Sequence, residues 1–139
     1  MKIELTPIGH VHTDADSIPR HWSISDVEGR LHIDEKYRTA IKDITAGDDI
    51  VVLFHFHKSE PFSETLLTQQ PPTKNHKLGV FSICSPRRPN PIGLSIVKVL
   101  SVDDVVIHVK GIDMIDNTPI IDIKPNVRGS DSCPSCKED

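Results

Sequence analysis

The stretch Gly93-Leu94-Ser95-Ile96-Val97-Lys98-Val99-Leu100-Ser101-Val102, followed by Asp103-Asp104 and then Val105-Val106-Ile107-His108-Val109-Lys110-Gly111-Ile112, alternates apolar and polar residues on both sides of an acidic pair. A period of two puts successive side chains on opposite faces, so the stretch reads as two strands, Gly93 to Val102 and Val105 to Ile112, with a turn at Val102-Asp103-Asp104. The same short period recurs over Ile3 to Val11, Arg30 to Ile33, Asp49 to His57, Gly79 to Ile83 and Pro119 to Ile123, with a further turn at Ala46-Gly47-Asp48. Only Glu35 to Ile44 has a helical pattern. Many short strands with one short helix predict a mainly β fold, a small single-domain β-barrel or sandwich, and closure of the sheet would remove its exposed edges. Two long loops interrupt the strands, Thr13 to Glu28 and Ser59 to Lys77 with Pro61, Pro71 and Pro72. Loops of that length in a small domain are commonly functional, and both are expected to cover a site.

Length and composition fit that picture. A chain of 139 residues with 37% hydrophobic and 26% charged residues buries enough surface for one core without metal or disulfide staples. Residues 1–128 are expected to form the domain and residues 129–139 a polar C-terminal tail. No apolar run reaches the roughly 18 residues that a membrane span needs, and the opening Met1-Lys-Ile-Glu-Leu-Thr-Pro7 lacks the apolar region of a secretory signal. A cytoplasmic location without a membrane partner is the corresponding expectation.

Several residues are not explained by a core. In Arg87-Arg88-Pro89-Asn90-Pro91-Ile92-Gly93 the two prolines fix φ and push Arg88 and Asn90 out of helical geometry, which makes a stiff loop. A stiff loop loses little entropy on binding, so Arg87, Arg88 and Asn90 are candidates for an anionic or hydrogen-bonding ligand. From Thr65 to Val102 there is no Asp or Glu, whereas Lys74, Lys77, Arg87, Arg88 and Lys98 all fall there, although the net charge is −4. Such asymmetry predicts one basic, phosphate-binding face. The segment Ile112-Asp113-Met114-Ile115-Asp116 places acids among apolar residues, where they need partners.

Other chemistries are weaker. No Gly-x-Gly-x-x-Gly follows a strand, which excludes the usual dinucleotide fold. His55 and His57 share a strand face, but two ligands are too few for zinc. Cys133-Pro-Ser-Cys136 lies in the tail, and Cys84 is the only other cysteine, so one chain cannot build a four-cysteine site. No metal is expected.

In order along the chain, Ile8-Gly9-His10-Val11, Gly79-Val80-Phe81, Arg88-Pro89-Asn90-Pro91-Ile92-Gly93 and Thr118-Pro119-Ile120-Ile121-Asp122-Ile123-Lys124-Pro125 resemble the TsaA family of S-adenosylmethionine-dependent methyltransferases. The resemblance covers nearly the whole chain. It implies a β-barrel, a homodimer, S-adenosylmethionine as cofactor and tRNA as partner, with methyl transfer to N6 of threonylcarbamoyladenosine beside the anticodon. It also implies a cofactor site among Pro19, Arg20, His21, His57, Lys58, Cys84, Leu94, Ile112 and Asp113, with Arg87, Arg88 and Asn90 at a substrate-binding rim. Two positions depart from the family: Lys58 stands where Gln is common, and Ile83-Cys84-Ser85 stands where many members have Thr-Arg-Ser. The catalytic group stays open, with Asp113, Asp116 or a histidine able to accept the proton. Two other functions are compatible with the chain, a non-catalytic S-adenosylmethionine-binding or regulatory barrel and a methyltransferase for another RNA or a small molecule.

Overall fold

Gly93 to Ile112 folds as the strand pair that its period dictates. The computed structural model describes residues 1–127. Its strands are β1 (Gly9–His12), β2 (Glu28–Ile33), β3 (Asp49–His55), β4 (Thr68–Gln69), β5 (Leu78–Gly79), β6 (Ile92–Asp103), β7 (Val106–Lys110) and β8 (Pro119–Pro125). Six of them form one antiparallel sheet in the order β1-β2-β7-β6-β3-β8, which closes on itself where Gly9 of β1 meets Ile120 of β8. The mainly β fold expected from the sequence is the one found.

Alternation decides which residues fill the ring. On β3, Ile50, Val52 and Phe54 point inward, on β6 Val97 and Val99, on β7 Ile107 and Val109, and on β2 Leu31 and Ile33. With Val11, Ile112, Met114 and Ile120 they make one core, each large aliphatic contributing about 1.5–3 kcal/mol of burial. β6 and β7 shift register between Val99 and Ser101, so that Leu100 and Ser101 are both exposed before Val102 turns inward again. The turn after β6 places Asp104 at φ 54, and the expected Gly47 turn has φ +96.

Several boundaries differ from expectation. The alternation from Ile3 produces a strand only from Gly9, because residues 1–7 extend past the ring and stay exposed. Gly79 to Ile83 is not a strand beyond Gly79: Val80–Ser82 is a 3-10 turn in which Val80 is buried and Phe81 points to solvent. The helix expected over Glu35 to Ile44 is present as Glu35–Ile41 with 3-10 geometry; it buries only Ile41, too small a face to sustain a longer α-helix. Within the long loops, Trp22–Ile24 and Glu64–Leu66 are 3-10 turns, and β4 pairs with β5 as a separate two-stranded ribbon. The Cys133 and Cys136 positions lie outside the described residues. No helix among those residues is long and apolar enough to cross a membrane.

Candidate active site

The C-terminal end of β3, the start of β6, the loop before β8 and the first long loop converge on a cavity of about 800 Å³. Of the residues singled out in the sequence, Pro19, Arg20, His21, His57, Lys58, Cys84, Leu94, Asp113 and Arg88 line it. Ile112 does not. Its side chain is wholly buried in the core, while its carbonyl accepts a hydrogen bond from Ser25 Oγ. Arg87 and Asn90 are exposed and lie outside the lining. A second cavity, about 900 Å³, opens at the other ends of β3 and β8, against Tyr37, Ile44 and Asp48. None of the Arg88–Gly93 loop reaches it, so the first cavity is the candidate site.

Aromatic packing builds the floor. Phe54 and Phe56 meet edge to face with centroids 4.9 Å apart, and Met114 lies in the same lining. Gly93 leaves room for both rings: a Cβ there would sit 2.3 Å from Phe54 Cζ and 2.8 Å from Phe56 Cζ. Neither ring had been singled out in the sequence, although a Phe-x-Phe ending a strand opposite a glycine is the signal that could have found them.

The polar end belongs to the loop that follows β7. Gly111 takes φ +106, a conformation that favours glycine, and the N–H groups of Gly111 and Ile112 both donate to the Val27 carbonyl, at 2.9 and 3.0 Å. That crossing turns Asp113 toward the cavity. Its carboxylate accepts a hydrogen bond from the hydroxyl of Ser95, a fully buried residue on β6. Burial raises the carboxyl above its ordinary range, against the opposing pull of the Ser95 hydroxyl, the Trp22 N–H and the charge on His21. Asp116, three residues on, faces away. It accepts from the Thr13 N–H at 3.0 Å and lies 3.1 Å from His12 Nδ1; first the Thr13 hydrogen bond and then the His12 charge hold it below the ordinary range. Of the two acids left open by the sequence, only Asp113 is in the cavity.

The first long loop forms one wall. His21 caps the Trp22–Ile24 turn, its Nδ1 accepting from the Ser23 N–H at 3.2 Å, and its ring leans on Trp22 with centroids 5.0 Å apart. The arginine loop forms another wall. Arg88 Nη1 donates to the carbonyls of Ile83 and Ser85, at 3.0 and 3.2 Å, so this cation shapes its own loop. The second long loop covers less than expected. Only Ser59 of it lines the cavity, while Ser59 Oγ donates to Pro86 O and Gln69 Nε2 to Arg87 O, bracing the arginine loop from behind. His55 is outside the lining although His57 is within it, so the two histidines do not share a site. Cys84 is a free, exposed thiol on the rim. Among the described residues no three His, Cys, Asp or Glu groups are placed to hold a metal.

The expected basic face is only partly assembled. Lys98 points outward from β6 and pairs with Asp49 at 2.9 Å, and Arg88 is turned to backbone carbonyls. Lys74, Lys77 and Arg87 are exposed, and among the described residues no ion pair engages them.

Comparison with known proteins gives this arrangement relatives. A probable S-adenosyl-L-methionine-binding protein of Pyrococcus abyssi is 33% identical over 125 residues, covering 87% of this chain and 66% of its own. A human tRNA (adenine(37)-N6)-methyltransferase is 46% identical over 81 residues, 58% of this chain and 18% of its own length. A crystal structure of TrmO from Pseudomonas aeruginosa superposes with a TM-score of 0.74 at 28% identity, covering 96% of this chain and 60% of that one. The chain thus spans less than two thirds of the length of each of these relatives. Residues 8–132 match the family described as the tRNA-methyltransferase O N-terminal domain, and with that match across the ring and the cavity the chain belongs to this family.

Proposed function

We propose that this protein is an S-adenosylmethionine-dependent tRNA methyltransferase whose cofactor site is the cavity around Asp113. The observation that carries the reading is a half-buried carboxylate, held by the Ser95 hydroxyl, in an aromatic-lined cavity of about 800 Å³, within the range of small-molecule sites. The residues fit the group. Phe54, Phe56, Leu94 and Met114 offer apolar surface for an adenine, and Asp113 offers a negative charge to a zwitterionic, cationic ligand. When bound, S-adenosylmethionine supplies a methyl group already activated by its sulfonium, so the protein has chiefly to align donor and acceptor and to exclude water.

Asp113, His21 and His57 are the groups in the lining able to take a proton from an acceptor nitrogen. Arg87, with Lys74 and Lys77, is exposed and suited to tRNA phosphates, while Arg88 holds the loop that presents Asn90. The names of the relatives support adenine at tRNA position 37 as the target. Within that class we take N6 of threonylcarbamoyladenosine as the acceptor, and a cytoplasmic homodimer as the acting form.

Calorimetric titration with S-adenosylmethionine tests the cofactor site, followed by methyl transfer to tRNA that lacks this methylation. Saturable binding, one per chain, with transfer to the tRNA is the expected result. Binding without transfer to any RNA would leave the protein a cofactor-binding module, and no binding up to millimolar concentrations, with or without tRNA, would overturn the reading.

A further inference from the structure

We propose that Ser95 is a positioning residue for the cavity: from the core side of β6 its hydroxyl fixes the Asp113 carboxylate so that a negative charge is held toward a cation bound there. The proposal rests on the reading of the cavity as an S-adenosylmethionine site, whose ligand carries a sulfonium and an ammonium.

The strand pattern makes the residue conspicuous. The inward positions of β6 are Gly93, Ser95, Val97 and Val99, and Ser95 is the one polar side chain among them, with no exposed surface. A hydroxyl in such a place is costly unless bonded, and a valine would fill it without needing a partner. Ser95 donates to Asp113 Oδ1, across a separation of 18 residues, and is itself outside the cavity lining. It touches the cavity only through Asp113.

Ser95 Oγ from β6 is the hydrogen-bond donor to the carboxylate, and the Trp22 N–H of the first long loop also favours its charged form. Donors to an ionised carboxylate are stronger than neutral hydrogen bonds and fix its orientation. They also favour the charged form, which burial disfavours. The other titratable groups in the surrounding lining are Arg20, His21, His57, Lys58, Cys84 and Arg88, none of them altered in identity by a substitution at Ser95.

The experiment compares the native protein with Ser95→Ala and Ser95→Thr. The first readout is the titration of the Asp113 carboxyl carbon, followed by NMR in protein without cofactor. In Ser95→Ala the carboxyl should hold its proton to higher pH, and Ser95→Thr, which restores a hydroxyl, should return the titration toward native. The second readout is calorimetric affinity for S-adenosylmethionine across pH. Ser95→Ala should bind on the order of tenfold more weakly near neutral pH, the difference narrowing as pH rises. An unchanged Asp113 titration in folded Ser95→Ala overturns the proposal, as does a shifted titration with native affinity at every pH. If the native protein binds no cofactor while the titration still shifts, the reading of the cavity has failed and the Ser95–Asp113 pairing has not.

Discussion

Asp113 and Asp116 stand three residues apart on one loop, yet their surroundings set them opposite tasks. Asp113 is turned into the cavity that Phe54, Phe56 and Met114 also line, where burial raises its proton affinity. Asp116 is turned outward against the Thr13 N–H and His12, where a hydrogen bond and a neighbouring imidazole lower it. Beyond Asp116 spreads an outer face rich in imidazole, with His10 stacked on His32 at 5.2 Å and His12 edge-on to His32 at 5.9 Å. His32 is held below its ordinary value by burial and then by His10, Arg30, His12 and His108. The same loop thus carries one acid that resists its own charge and another that accepts it. A cationic ligand would relieve that resistance at Asp113, which makes the inner face the candidate site.

Filling the inner face should have the largest effect. Gly93→Val places a side chain where even a Cβ meets both phenylalanine rings, so cofactor binding should disappear and overpacking should cost about 1–3 kcal/mol, read by calorimetry and thermal melting. Next comes the contrast of the two acids. Asp113→Asn should weaken S-adenosylmethionine on the order of tenfold or more with the fold intact, because the cation loses its counter-charge. Asp116→Ala should leave affinity near native and cost about 1 kcal/mol of stability through the lost Thr13 bond. Reversed results would place the site on the outer face.

The two faces also predict opposite pH dependences of stability. Asp113 has a folded-state pKa above its unfolded value of 3.8, so the folded state binds the extra proton and stability falls as pH rises through that window. His32 has a folded-state pKa below 6.5, so the unfolded chain binds the extra proton; its contribution is present above pH 6.5 and is lost as pH falls through the depressed value. Urea titrations of the native protein and of His32→Phe should show a shallower acid-side loss in the variant, and an equal loss would remove His32 from the account. The smallest effect belongs to the rim. Arg87→Ala should leave cofactor affinity unchanged and reduce the salt dependence of tRNA binding by about one phosphate contact, whereas Arg88→Ala should also loosen the cavity wall, since its guanidinium holds the carbonyls of Ile83 and Ser85.

Legibility in the sequence followed the range of the forces involved. Period two identified β3, β6 and β7 because alternation is local, and the structure shows which phase of it faces in, with Ile50, Val52, Val97 and Ile107 buried. It overran at Ile3, where alternation continues although the closed sheet begins at Gly9, and at Val80, where a single buried residue resembled the start of a strand. The two-residue strands Thr68–Gln69 and Leu78–Gly79 carry no periodic signal at all. The arginine loop and the Asp113 segment stood out as candidates because cations, prolines and acids there had no use in a core.

What the sequence by itself determined is the mainly β architecture and the candidate segments for the chemistry, since side-chain alternation and Pro or Gly geometry act within a few residues. Only the tertiary structure decided which of those groups meet. Across 18 residues Ser95 holds Asp113; across 49, Lys98 is drawn away to Asp49; within one loop Arg88 is turned onto backbone carbonyls; and Ile112 is sunk into the core. Charges and donors select partners by distance in space, and in a closed sheet that distance is set by strand register and ring closure, which no local pattern encodes.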